Sequence, residues 1–283
     1  MILVNLMGGL GNQLFQYVAG RVLAQHHNVP LGFLFVDEYK QAQRTMKLNH
    51  FCITGSVFTG KDVTRYLPAR NIRRKVYQWL NLEYEGKIYR EPTFYLFDRN
   101  LFNLPSDIYL YGFWQSYLYA ENIEEQIRSE IRLKDPSRKY LNALAVVKGK
   151  RLTAAMHVRR GDYVDPKSGF STLDVEYYAR AYDYLRGQVG EASIVLFSDD
   201  TTWVKNTFTF LKDCIFAADF GLEDYEEMML MAGCDHQIIA NSSFSWWGAW
   251  LNPSLNKLVI APGNWHVLLN NKSELIPPDW VIL

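Results

Sequence analysis

Leu152-Thr153-Ala154-Ala155-Met156-His157-Val158-Arg159-Arg160-Gly161-Asp162-Tyr163 is an apolar run that stops on a cluster of charge. Leu152–Val158 has the length and composition of a buried strand. Beyond it, helix and strand alternate. The expected order is helix Asp174–Leu185, strand Ser193–Phe197, helix Thr202–Phe210, strand Cys214–Ala217, helix Leu222–Ala232, strand Gln237–Ala240, short helix Phe244–Leu251 and strand Leu258–Ala261. Strands separated by helical stretches are the mark of βαβ units and a mostly parallel sheet, so the second half reads as a doubly wound α/β domain. Ser171 or Thr172, ahead of Asp174 and Glu176, supplies the expected cap of its first helix.

Working outward, Ile2–Leu6 is a short apolar run, Gly8-Gly9-Leu10-Gly11 a turn, and Leu14, Val18 and Val22 recur at helical spacing. Val29–Val36 reads as a second strand. From about 40 to 150 the pattern is less regular, with a polar stretch at Arg65–Lys75 and an aromatic segment from Tyr109 to Gln115. A domain boundary is placed near 150, giving domains 1–150 and 151–283.

The chain has 283 residues, 48% of them hydrophobic, enough for one large core or two modest ones. Thirty Lys and Arg balance thirty Asp and Glu, so no overall basic field draws the chain to nucleic acid or anionic lipid, and an anion site has to be local. Cys52, Cys214 and Cys234 are odd in number and lack CxxC spacing, which argues for a reducing compartment and against a thiolate zinc site. His26, His27, His50, His236 and His266 show no HExxH or other ligand spacing. No signal peptide or spanning run is evident, so a cytoplasmic protein is expected, with peripheral membrane contact left open.

In an open α/β sheet ligands sit at the carboxyl ends of the strands. Three strand ends are polar: His157 to Tyr163, Ser198-Asp199-Asp200, and Asn241-Ser242-Ser243-Phe244-Ser245-Trp246-Trp247. Arg159 and Arg160 present planar forks suited to the oxygens of a diphosphate. An equal alternative is a structural ion pair with Asp162 or Asp165. The Asn241–Trp247 segment offers hydroxyls and backbone N–H groups at a helix start, either as an anion seat or as a cap with Trp246, Trp247 and Trp250 in the core. Asp199 and Asp200 can hydrogen-bond a ribose or purine, or cap a helix. Gly8-Gly9-Leu10-Gly11-Asn12-Gln13 departs from G-x-G-x-x-G, since Leu14 stands where the third glycine belongs, but it permits close approach to a ligand with Asn12 near a helix N-terminus. The sequence lacks an Asp-x-Asp pair, a Walker A pattern and a G-x-S-x-G elbow, so fixed arginines rather than a metal would neutralise a leaving diphosphate.

Together these segments closely resemble the bacterial α-1,2-fucosyltransferases, inverting enzymes that use GDP-fucose. The likeness rests on Gly8 to Tyr17, His157 to Tyr163, Phe197 to Asp200 and Asn241 to Trp250, in that order, with Gly112-Phe113-Trp114-Gln115-Ser116 as a further point. The resemblance implies an α/β, GT-B-like architecture, two Rossmann-like domains facing across a cleft, with the acceptor side in 1–150 and GDP-fucose in 151–283. It also implies Arg159, assisted by Arg160, on the diphosphate, and His157 with Asp199 or Asp200 near guanine or ribose. Ser242, Ser243 and Phe244 would lie around the phosphates and ribose, with Asn12 reaching in from the first domain. The reaction implied is in-line transfer of fucose to the 2-hydroxyl of a terminal galactoside in a glycan, without a metal, and with Asp162 as the candidate base. A lipid-linked acceptor would make peripheral membrane contact useful. The alternatives are another donor or linkage, or a silent nucleotide-sugar-binding module. Tyr111, Phe113, Trp114, Tyr117 and Tyr119 could stack on acceptor sugars, although core packing is the commoner use of such residues.

Overall fold

The computed structural model describes residues 1–35, 45–59, 66, 87–164, 172–265 and 274–283, apart from the Asp162 side chain. Val36, Asp165, His266 and, except for Tyr66, the polar stretch at 65–75 lie outside the described residues. The chain divides into two compact units, Met1–Asn49 with Ile53–Glu130, and His50–Cys52 with Ile131–Leu283.

In the first unit, β1 (Ile2–Leu6), β2 (Leu31–Phe35), β3 (Ser56–Val57), β4 (Ile88–Arg90) and β5 (Ile108–Tyr111) form a parallel sheet in the order β3-β2-β1-β5-β4. The apolar run at the N-terminus is therefore the central strand, buried along its whole length. α1 (Leu10–His27) comes next and ends at Asn28, whose φ of 50° is the left-handed conformation that closes a helix. Leu14 and Val18 are buried as their spacing predicts, but Gln13 and Gln16 are buried too. Their amides hold the neighbouring loops. Gln16 Oε1 accepts the Met7 N–H at 2.9 Å, while Gln13 bonds the Gly8 and Thr45 carbonyls and the Lys47 N–H. α2 (Glu124–Glu130) closes the unit, and Glu130 pairs with Arg21 at 3.0 Å and accepts the Tyr17 hydroxyl.

The second unit opens with α3 (Arg138–Lys148), capped by Ser137, whose Oγ accepts the Tyr140 N–H at 3.1 Å. β6 (Thr153–Val158), α4 (Val175–Val189), β7 (Ser193–Ser198), α5 (Thr201–Thr207), β8 (Cys214–Phe216), α6 (Asp224–Ala232), β9 (His236–Ile238), α7 (Ser243–Trp250), β10 (Val259–Ala261) and β11 (Val281–Ile282) complete it. The strands form a parallel sheet in the order β11-β10-β9-β6-β7-β8. Alternation along β6 and β7 sends Ala154, Met156, Val158, Ile194 and Leu196 to one face, against Tyr177, Ala181 and Leu185 of α4. Ala155, Val195 and Phe197 go to the other, against α3 and α6. A sheet covered on both faces needs strands apolar on both sides, which is why β6 reads as a continuous apolar run.

Two expectations need correction. The units divide at Glu130/Ile131 rather than near 150, because Tyr140, Ala143 and Val147 of α3 pack into the second core and the backbone of 50–52 pairs with 132–134. The cap of α4 is Asp174 itself, whose Oδ1 accepts the Tyr177 N–H at 2.7 Å, and not Thr172, while Ser171 lies outside the described residues. Among the described residues no helix is long and apolar enough to cross a membrane.

Candidate active site

A parallel sheet whose strand order reverses leaves a crevice at the carboxyl ends of the two strands flanking the reversal. In the second sheet the order runs from β6 out to β7 and β8, then returns to β9 on the other side of β6. The loops after β6 and β9 therefore flank the crevice. They are joined by Tyr163, whose hydroxyl donates to the Asn241 carbonyl at 3.2 Å. His157, Arg159 and Arg160 come from the β6 end, Asp199 and Asp200 from the β7 end, and Ser242, Ser243 and Phe244 from the segment after β9. Three adjacent strand ends thus bring together the eight second-unit residues expected at the nucleotide.

Both arginines are ion-paired to the aspartates after β7, while Asp165 and the Asp162 side chain, the partners expected from sequence, lie outside the described residues. Arg159 Nη1 meets Asp199 Oδ2 at 2.5 Å and Arg160 Nε meets Asp200 Oδ2 at 3.2 Å. Asp199 Oδ1 also accepts the Arg160 N–H at 2.9 Å. The guanidinium of Arg160 lies 3.8 Å from the Trp203 ring centroid and that of Arg159 lies 5.5 Å from Tyr163. The two arginine side chains keep 27% and 20% of their exposure, where a pair contributes about 0–1 kcal/mol to stability. At that exposure the pairs fix geometry more than they stabilise, because a carboxylate oxygen on a rigid planar fork sets the direction in which the guanidinium faces. Asp200 also caps α5, accepting the Trp203 N–H at 3.0 Å, so pairing and capping coexist in one side chain. Gly161 is small for a reason: a Cβ there would lie 2.6 Å from Asp199 Oδ2.

His157 is buried, with its ring 5.5 Å from that of Phe244. Burial, then the charge of Arg159, pushes its pKa down to about 3, so the imidazole is neutral. Its Nδ1 is buried without a hydrogen-bond partner among the described residues. On the other side of the crevice Ser242 caps α7 through the Phe244 N–H, and Ser245 Oγ bonds the Ala240 carbonyl at 3.3 Å. The helix start thus aims N–H groups at the same edge as the arginines. Trp246, Trp247 and Trp250 are buried in the core, with Trp246 Nε1 donating to the Leu275 carbonyl at 2.8 Å.

Asn12 belongs to the first unit, in the first turn of α1, where its Oδ1 accepts from Gln115 Nε2 at 2.7 Å. Asp162 sits in the turn Gly161–Val164 directly after the arginines. Of the aromatics near β5, Trp114 and Tyr119 are buried core residues. Sequence reasoning missed the ties made by Tyr163, Trp203 and Gln115, and the buried amides of Gln13 and Gln16. For the last two the signal was present, as polar side chains three apart among the apolar positions Leu14, Phe15, Tyr17 and Val18 of the helix.

Comparison with known proteins places this geometry. The profile of Glycosyl transferase family 11 matches residues 1–283. An O-antigen biosynthesis glycosyltransferase, WbnK, of Escherichia coli is 30% identical over 98% of this chain and 99% of that protein. An alpha-1,2-colitosyltransferase of the same species is 28% identical over 99% and 98%. A galactoside alpha-(1,2)-fucosyltransferase 1 of Sus scrofa is 30% identical over 86% of this chain and 63% of its own length. Among solved structures, POFUT1 in complex with GDP-fucose superposes with a TM-score of 0.52 at 14% identity, covering 88% of this chain and 93% of that one. The fucosyltransferase NodZ from Bradyrhizobium gives 0.50 at 13%, covering 87% and 92%. The structural likeness bears on fold alone, and the fold is the α/β GT-B type with two parallel sheets. A family profile that spans the whole chain, with a relative of nearly equal length, settles membership: the chain is a glycosyltransferase of family 11.

Proposed function

We propose that this glycosyltransferase moves L-fucose from GDP-β-L-fucose to the 2-hydroxyl of a terminal galactoside, with inversion and without a divalent metal. The observation that carries the reading is the arginine pair held by Asp199 and Asp200 at the strand reversal of the second sheet. Fixed cations at that edge can neutralise a departing diphosphate without reorganising, which is where transition-state charge develops. In this reading Arg159, with Arg160, takes the diphosphate, and the start of α7 with Ser242, Ser243 and Phe244 takes phosphate and ribose. Neutral His157 offers a hydrogen bond to the nucleoside, and Asp199 and Asp200 both steady the arginines and border the nucleoside. Asn12 and the first unit serve the sugar and acceptor. Asp162, next in the chain to the arginine turn, is the carboxylate assigned to take the acceptor proton as the bond forms. The names of the porcine and bacterial relatives support the α-1,2 linkage and a glycan acceptor. A lipid-linked acceptor at the cytoplasmic membrane face belongs to the same reading.

The colitosyltransferase relative supports a second donor, nucleotide-activated colitose, on the same site. Labelled GDP-fucose, a panel of terminal galactosides, excess EDTA and linkage analysis of the product test the proposal. An α-1,2-fucosylated galactoside is expected. Binding of GDP-fucose without release of GDP would make the chain a binding module, and turnover only with the colitose donor would replace the sugar.

A further inference from the structure

The first sheet also reverses its strand order, between β1 and β5, so the loops after those two strands flank a crevice of their own. They are tied across it by Gln115 and Asn12 at 2.7 Å. Gln115 is in turn placed by Glu91, the residue after β4 on the neighbouring strand end. Glu91 Oε2 accepts the Phe113 N–H at 2.7 Å and Oε1 accepts the Trp114 N–H at 3.0 Å. Trp114 has φ 58°, left-handed for a residue that is not glycine, which costs roughly 1–2 kcal/mol unless its surroundings hold it. Its fully buried indole packs against Tyr89 and Tyr119, each 6.2 Å away between ring centroids. Gly112 lets the carboxylate approach, because a Cβ there would lie 2.4 Å from Glu91 Cβ.

We propose that Glu91 is a positioning residue for the sugar end of the reaction: by accepting two consecutive N–H groups it holds the Gly112–Gln115 turn, and so aims Gln115 with Asn12 at the substrate hydroxyls. This role rests on the transferase reading. The side-chain amides supply the donors and acceptors that a hydroxyl-rich ligand requires. Among the described residues the titratable groups that act on Glu91 or feel its charge are Tyr95 and Asp98 from the segment after β4 and Tyr119 from the turn after β5, while Arg90 stacks over Tyr111. Burial, with Asp98 adding, pushes the Glu91 carboxyl up to about 7. As pH falls through that value one oxygen becomes a donor facing an N–H, and half of the latch is lost.

Glu91→Gln keeps the size and one accepting oxygen, leaving the other N–H opposite an NH2. The test compares it with the wild type in three ways: amide exchange at Phe113 and Trp114 in the free protein, kcat/KM for the acceptor from about pH 5 to about pH 9, and GDP affinity. The variant is expected to exchange faster at both amides and to lose roughly tenfold or more in kcat/KM at alkaline pH. It is expected to lack the acidic limb seen in the wild type and to bind GDP unchanged. Wild-type exchange in the folded variant, or wild-type kcat/KM with the acidic limb intact, overturns the proposal. A wild-type chain that binds GDP yet transfers nothing contradicts the transferase reading itself and takes the positioning role with it.

Discussion

At the scale of single residues, an arginine that is ion-paired can still serve as a clamp. Arg159 and Arg160 are paired with aspartates, and those pairs set the forks at the sheet edge. Removing Arg159 leaves Asp199, already 26% exposed, to water, so the fold is expected to survive. The Arg159→Ala variant should lose transfer by roughly 100-fold or more, the scale of one preorganised charge contact in the transition state. Circular dichroism should be unchanged, and near-normal turnover by the folded variant would contradict the assignment. The arginines were legible from sequence because charge directly after an apolar run is expensive without a purpose. Their partners were not, because Asp199 and Asp200 lie one strand away and only the β6–β7 register brings Val158 beside Ser198.

At the scale of elements, α1 crosses β1 at Gly20, where a Cβ would lie 2.2 Å from Val4 Cγ2 and 3.0 Å from Leu31 Cδ1. Alanine gains about 1 kcal/mol in helix propensity over glycine. Against this, overpacking a buried β-branched side chain costs about 1–3 kcal/mol. Packing is expected to win, so Gly20→Ala should lower the thermal midpoint, and a raised midpoint would show that α1 shifts freely on the sheet. Elements with a strong period were legible. Every strand expected in the second half is present within a few residues, because β6 and β7 are apolar on both faces. The boundary at 150 failed because α3 precedes the first strand of its own sheet, and sequence order alone does not say which core receives Tyr140, Ala143 and Val147. β3 and β4, with burial patterns of exposed and partly exposed residues, carry too little hydrophobic signal to be read in advance.

At the scale of the whole molecule, buried ionisable groups set opposing pH dependences. His157 falls from 6.5 to about 3, so between those values the unfolded chain binds the proton and the folded one does not. Stability from this group is present above 6.5 and is lost as pH falls toward 3. Glu91 and Glu227 rise from 4.5 to about 7, mainly through burial, so their contribution is full below 4.5 and is lost as pH rises through 7. Urea midpoints should show the wild type declining toward acid more steeply than His157→Gln, and toward neutral pH more steeply than Glu227→Gln. Parallel curves would contradict these burial effects. The central claim is that the strand reversal of the second unit seats a guanosine diphosphate through fixed arginines, and calorimetric titration with GDP in EDTA tests it most directly. GDP is predicted to bind one to one, with UDP far weaker, and Arg159→Ala to weaken GDP by roughly tenfold or more. Equal affinity in the folded variant, or binding that appears only when a divalent cation is restored, would contradict it.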